Sequence, residues 1–142
     1  MKSAVQQLKE DEGFRGNVYK CTAGKNTIGY GRNLDDNPLT EDEAEFLLNS
    51  DLQKIVANLS DLPFYSRLTP QRRGVVINMT YNLGLPRFKQ FKRMIAAMYL
   101  CDYELAADEM LDSKWAKQVG NRADRLAEIM RNDGFDCRLA RQ

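Results

Sequence analysis

DEGFRGNVYKCTAGKNTIGYG, residues 11–31, is the stretch on which the fold turns. It carries the end of a helix into two strand-like runs. Upstream, residues 3–12 read as a helix, with Ala4, Val5 and Leu8 as a narrow apolar stripe and Gly13 placed to stop it. Glu12 then falls in the last turn, where the helix dipole disfavours a carboxylate. A residue set against its local preference hints at function. Residues 18–21 and 27–30 are rich in β-formers and flank a turn-like cluster at 23–26. A hairpin centred on Gly24 sets residues whose numbers sum to 48 opposite one another. Cys21 then faces Thr27, with Cβ atoms about 5 Å apart on one face of the sheet.

Beyond a loop at residues 33–39, Thr40 and Glu43 form a capping box at the head of a helix expected over 41–59. Thr69 and Pro70 open a further helix that Gly84 ends. Its apolar residues Val75, Val76, Ile77, Met79 and Leu83 lie on more than one side, which predicts a buried central helix. Shorter helices follow at about 88–99, 102–112, 114–117 and 121–132, with Asp102 and Asn121 as expected N-caps and Gly134 after the last. The predicted architecture is α+β and mostly helical. One domain over 1–142 holds a small hairpin lobe (about 13–39), a connecting helix (about 41–59) and a helical lobe (about 63–142) that also takes the helix at 3–12.

Composition narrows the chemistry. The 142 residues, 43% hydrophobic and 29% charged, suit one globular domain. There is no histidine, which removes Ser-His-Asp and Cys-His catalysis and every metal site that needs imidazole. Cys21, Cys101 and Cys137 are widely separated and form no C-x-x-C, so zinc and thioredoxin-like readings fail. Their odd number predicts a chain that folds reduced, in a cytosol. Neither a signal peptide nor a membrane span is legible, so delivery to an external target would need another agent. Residues 1–62 carry 7 Lys/Arg against 11 Asp/Glu, and residues 63–142 carry 14 against 9, so net charges of −4 and +5 make up the overall +1. A basic second half suits an anionic polymer, whether nucleic acid or a cell wall with its carboxylates and phosphates.

Glycoside hydrolysis needs a proton donor for the leaving oxygen and a negative or basic group for the oxocarbenium-like centre or its attacking water. Glu12 is the candidate acid, with burial expected to raise its pKa. Cys21 sits where a second carboxylate would be expected, and the Thr27 hydroxyl is suited to holding a water. The plainer alternatives are a surface carboxylate, a small buried strand residue and a threonine kept for β-propensity.

Several separated motifs resemble the phage lysozyme family, glycoside hydrolase family 24 of the T-even phage type. They are DEGFR at 11–15, VYK at 18–20, TIGYG at 27–31, LTEDEAE at 39–45, and VINM at 76–79 followed by Tyr81 and Gly84. SKW at 113–115 and NRA at 121–123 complete the series in the family's order. The resemblance implies a lysozyme-like fold and a peptidoglycan muramidase that cuts between N-acetylmuramic acid and N-acetylglucosamine, with no cofactor. It further implies that Glu12 is the general acid, that Thr27 helps place the attacking water, that Arg122 pairs with the general acid, and that Tyr81 lines the saccharide cleft. A monomer that does not insert into membranes is implied, with peptidoglycan glycan strands and no nucleic acid as partner. It would be made in the host cytoplasm and act on the wall in the periplasm after holin-mediated release. Two positions depart from the pattern. Cys21 replaces the usual aspartate, and Arg32 stands where histidine can tie two segments through an aspartate. The competing readings are a wall-binding relative without catalysis, a lytic transglycosylase, and a helical nucleic-acid binder using Arg72, Arg73, Arg87, Lys89, Lys92 and Arg93.

Overall fold

A computed structural model describes residues 1–133. Gly134 and Cys137 lie outside the described residues. The chain divides into two compact units, residues 1–48 and the remainder from Asn49 onward. The 4–12 helix, which the sequence reading attached to the helical lobe, clusters with the first unit.

In the first unit, α1 (Ala4–Glu12) begins with a capping box between Ser3 and Gln6 and ends at Gly13. Its apolar stripe stays exposed. Three antiparallel strands follow in the order β1 (Arg15–Lys20), β2 (Asn26–Gly29) and β3 (Arg32–Asn33). The register differs from the expected one. Tyr19 faces Thr27 and Lys20 faces Asn26, so paired numbers sum to 46. Cys21 N–H donates to Lys25 O at 3.0 Å, and Gly24 N–H donates to Cys21 O at 2.8 Å. The turn thus closes around Ala23, one residue earlier than the position of Gly24 suggested. In place of a histidine tie, Arg32 makes a two-pronged ion pair with Glu43, one arm at 2.8 Å, and also donates to Asn37 O and Pro38 O. Glu43 and Thr40 complete the expected capping box, so β3 and the start of the next helix share one carboxylate.

That helix, α2 (Glu41–Ser60), begins in the first unit and ends in the second. A single turn of 3-10 helix at Tyr65–Arg67, absent from the sequence reading, precedes α3 (Pro70–Leu83). Thr69 caps α3, accepting from Arg72 N–H as Thr69-Pro70 predicts. Next come α4 (Leu85–Phe88), α5 (Lys92–Tyr99), α6 (Tyr103–Leu111), α7 (Lys114–Val119) and α8 (Asn121–Asn132). Asp102 caps α6 as expected. Gly120 rather than Asn121 holds the cap position of α8, because its φ of +58° turns the chain between α7 and α8.

The buried apolar core, among the described residues, lies wholly in the second unit. It runs from Leu59 through Val76 and Met79 on α3 to Met130 on α8, with Met94, Met98 and Met110 between. Methionine is unbranched and polarizable and fills irregular gaps between short helices. Arg72 is 2% exposed. Its guanidinium lies 3.8 Å from the Tyr103 ring centroid and donates to the carbonyls of Met130 and Arg131. It thereby satisfies free carbonyls at the end of α8. Arg73 donates to Tyr65 O and Ser66 O. Two members of the proposed nucleic-acid surface are therefore structural. Cys101 is disulfide-bonded, against the expectation of a chain that folds reduced, while Cys21 is free. Spacing in the sequence does not reveal which cysteines a fold brings together.

Candidate active site

The first unit holds Glu12, Cys21 and Thr27. Thr27 is 3% exposed, the buried polar residue of its unit. It sits there because β2 is the central strand of the three. Its hydroxyl donates to Lys25 O at 2.9 Å, which fixes the proton and leaves the oxygen lone pairs free to accept.

Cys21 is not directly opposite Thr27, but it lies two residues beyond Tyr19 and shares its face. The two are diagonal neighbours across the hairpin, a separation that side chains on one face can reach across. The surroundings hold the thiol below its usual pKa. The backbone of Lys25 contributes most, then the backbone of Ala23, with the Thr27 hydroxyl adding a smaller share. Partial desolvation opposes them. Turn N–H groups directed at a sulfur favour the anion. The Thr27 hydroxyl has a single proton for two acceptors, Lys25 O and the Cys21 sulfur. The backbone groups carry most of the stabilisation, so the direction survives whichever acceptor takes that proton.

Glu12 ends α1 and is exposed, where the sequence reading expected burial. Its carboxyl rests against the backbone of Gly31, in the turn between β2 and β3. Next to this contact Tyr30 meets Phe14, with ring centroids 5.6 Å apart, and Lys9 Nζ lies 5.5 Å from the Tyr30 centroid. The segment from Lys9 to Phe14 and the pair Tyr30–Gly31 therefore meet at three places. Gly31 appeared in the sequence only as part of a motif. The spatial approach of Glu12 has no signature in a linear reading.

In the second unit, Asn78, Tyr81 and Asn82 share one face of α3 by their i, i+3, i+4 spacing. Asn78 Oδ1 accepts from Arg122 Nε at 2.9 Å, and Asn82 Oδ1 accepts from Trp115 Nε1 at 2.9 Å. Tyr81 between them is 49% exposed. The two asparagines were not singled out by sequence, although that spacing was available. A hollow of about 480 Å³ opens beside Trp115 and Phe91, with Arg93, Lys114, Glu109 and Asp112 among its lining residues. Among the described residues, no group of three or more potential ligands suits a metal ion, and no helix is long and apolar enough to cross a membrane.

The mostly helical α+β class with a three-stranded antiparallel sheet agrees with the lysozyme-like fold, a class of glycoside hydrolase, to which the family comparison assigns the chain. The family model described as phage lysozyme matches residues 9–132, and the chain belongs to the phage lysozyme family. It is 29% identical over 157 residues to the pre-baseplate central spike protein of Enterobacteria phage T4, a match covering 90% of this chain and 27% of that protein. The chain thus spans little more than a quarter of that relative's length. It is 29% identical to the endolysin of Acyrthosiphon pisum secondary endosymbiont phage 1, over 80% of this chain and 77% of the relative. With probable T4-type lysozyme 1 of Dictyostelium discoideum it shares 27% identity, over 90% and 93% of the two chains.

Proposed function

We propose that this chain is a peptidoglycan muramidase that hydrolyses the β-1,4 bond between N-acetylmuramic acid and N-acetylglucosamine and so lyses bacterial walls. The observation that carries the reading is that Cys21 and Thr27 share one face of the hairpin, in the same small unit that seats Glu12 on the β2–β3 turn.

Glu12 acts as general acid and protonates the leaving glycosidic oxygen. Cys21 takes the part usually played by an aspartate. A neutral thiol cannot stabilise an oxocarbenium-like charge, but a thiolate can, and it can also accept a proton from water. The turn N–H groups that lower the Cys21 pKa increase the thiolate fraction near neutral pH. Thr27 spends its proton within the hairpin, so its lone pairs accept from the attacking water and orient it. Tyr81 and Arg122 bind the glycan. Asn78 holds the Arg122 guanidinium, and Asn82 holds the Trp115 indole nearby. The enzyme acts as a monomer, without a cofactor, on glycan strands in the periplasm after holin-dependent release from the host cytoplasm. The bonded Cys101 suits work in an oxidising compartment.

Product analysis of digested peptidoglycan tests this reading. Wild type releases fragments with hydrated reducing ends, and Glu12→Gln lowers the rate by roughly 10²–10⁴-fold. Anhydro-muramic ends would instead establish a transglycosylase. Wall binding with no released ends would establish a catalytically weakened relative.

A further inference from the structure

The carboxyl of Glu12 occupies the space in which any residue other than glycine at position 31 would place its side chain. A Cβ built on Gly31 would lie 2.5 Å from Glu12 Oε2, 2.9 Å from Cδ and 3.3 Å from Cγ. The first two separations are shorter than real Cβ contacts allow. Gly31 also has φ of +74°. Gly29, two residues earlier at the end of β2, has φ of +70° and nothing within 4 Å of the equivalent position. The two glycines meet the same backbone demand and differ in what lies beside them.

The rest of the contact is held in place. The Glu12 backbone is the last residue of α1, and Gly13 N–H closes the helix end by donating to Lys9 O at 3.0 Å. Tyr30, between the two glycines, is held by Phe14 and Lys9. With the backbone and the neighbouring ring fixed, the direction of the carboxyl depends on the surface it rests on.

We propose that Gly31 is a positioning residue for Glu12, its bare backbone forming the seat that aims the carboxyl. The proposal rests on the reading of Glu12 as general acid. The group that would clash is the far end of a flexible side chain, so a methyl at position 31 is relieved by the carboxyl swinging away. The substitution therefore acts on catalysis more than on folding. Misplacing a reacting group by about 1 Å costs on the order of 10²-fold in rate.

The experiment compares Gly31→Ala, Gly29→Ala and Glu12→Gln for thermal unfolding and for kcat and KM on peptidoglycan. Both alanine variants should lose a similar few degrees of Tm through left-handed strain. Gly31→Ala should lose about 10²-fold in kcat with KM changed by less than about threefold, while Gly29→Ala keeps kcat within about threefold. Gly31→Asn tolerates the left-handed backbone yet carries the same Cβ, so it should fold well and show the same kcat loss. Pairing Gly31→Ala with Glu12→Asp shortens the clashing side chain, and the double variant should lose less than the product of the single losses. If Glu12→Gln is inactive while Gly31→Ala and Gly31→Asn keep the kcat of Gly29→Ala, the seat is overturned and the general acid stands. If Glu12→Gln keeps its activity, the general-acid reading falls and the seat falls with it.

Discussion

In the proposed mechanism, a thiol in the hairpin makes the chemistry depend on pH in a way that a carboxylate would not. Thiolate accumulates as pH rises, and the lowered pKa of Cys21 starts that rise below the usual cysteine range. The lysis rate of the wild type relative to that of Cys21→Asp should therefore climb across about pH 5–8, since the aspartate carboxylate is already ionised there and the general acid is common to both. Lysis rates of both proteins over that range test the point, and parallel profiles would remove the thiolate from the mechanism. Cys21→Ser, which has no accessible anion, should lose most of the activity at every pH. Thr27→Val keeps volume but deletes the hydroxyl. Because Thr27 is buried with Lys25 O as its acceptor, this variant should lower kcat by about 10²-fold, with a stability cost of about 1 kcal/mol for the lost hydrogen bond. Steady-state kinetics and denaturant unfolding separate the two effects.

Two junctions between elements invite the same treatment. Glu43 joins β3 to α2 through Arg32 and caps α2 through Thr40. The Arg32 guanidinium, followed by the Thr40 backbone and hydroxyl, depresses its pKa from 4.5 to about 2. A carboxylate whose folded pKa is depressed contributes stability above its unfolded pKa and loses it as pH falls through the folded value. The contribution is thus whole above 4.5 and gone near 2. Thermal unfolding of wild type and Glu43→Gln should differ at neutral pH and converge toward the acid end. Arg72 ties the start of α3 to the last turn of α8 from a buried position. Arg72→Met keeps an apolar stem but strands the carbonyls of Met130 and Arg131, and should destabilise by about 2–4 kcal/mol in denaturant melts. Local patterns announced some of this and not the rest. Thr40 with Glu43, Thr69 with Pro70, and Asp102 declare helix starts because capping acts over three residues of contiguous chain. The turn closes one residue early and the pairing shifts by two because closure around Ala23 depends on bonds across the turn, which the glycine position does not encode. Arg72 looked like surface charge because nothing adjacent in the chain discloses that Tyr103 and α8 will enclose it.

Apolar burial is unevenly shared over the molecule. Among the described residues, the first unit buries Thr27 but no apolar side chain, while the second holds the core from Leu59 to Met130. Local opening is easiest where few apolar contacts must break. Native-state hydrogen exchange should therefore show amides of Tyr19 and Thr27 exchanging at lower denaturant than those of Val76, Met98 and Met130. Charge is uneven as well, with +5 over residues 63–142. Attraction between that half and an anionic wall should weaken as salt rises, so wall binding should fall across about 0.05–0.5 M salt, as a sedimentation assay would read. Residue order alone carried the mostly helical α+β class, the helix starts, the absence of histidine chemistry and the family motifs, because each of these depends on composition or on forces between near neighbours in the chain. The register that makes Cys21 and Thr27 diagonal neighbours, the seat of Glu12 on Gly31, the burial of Arg72 and the bonding of Cys101 were decided by the tertiary structure. Each of them depends on which groups the folded chain brings together, and preferences of near neighbours in the chain do not encode that.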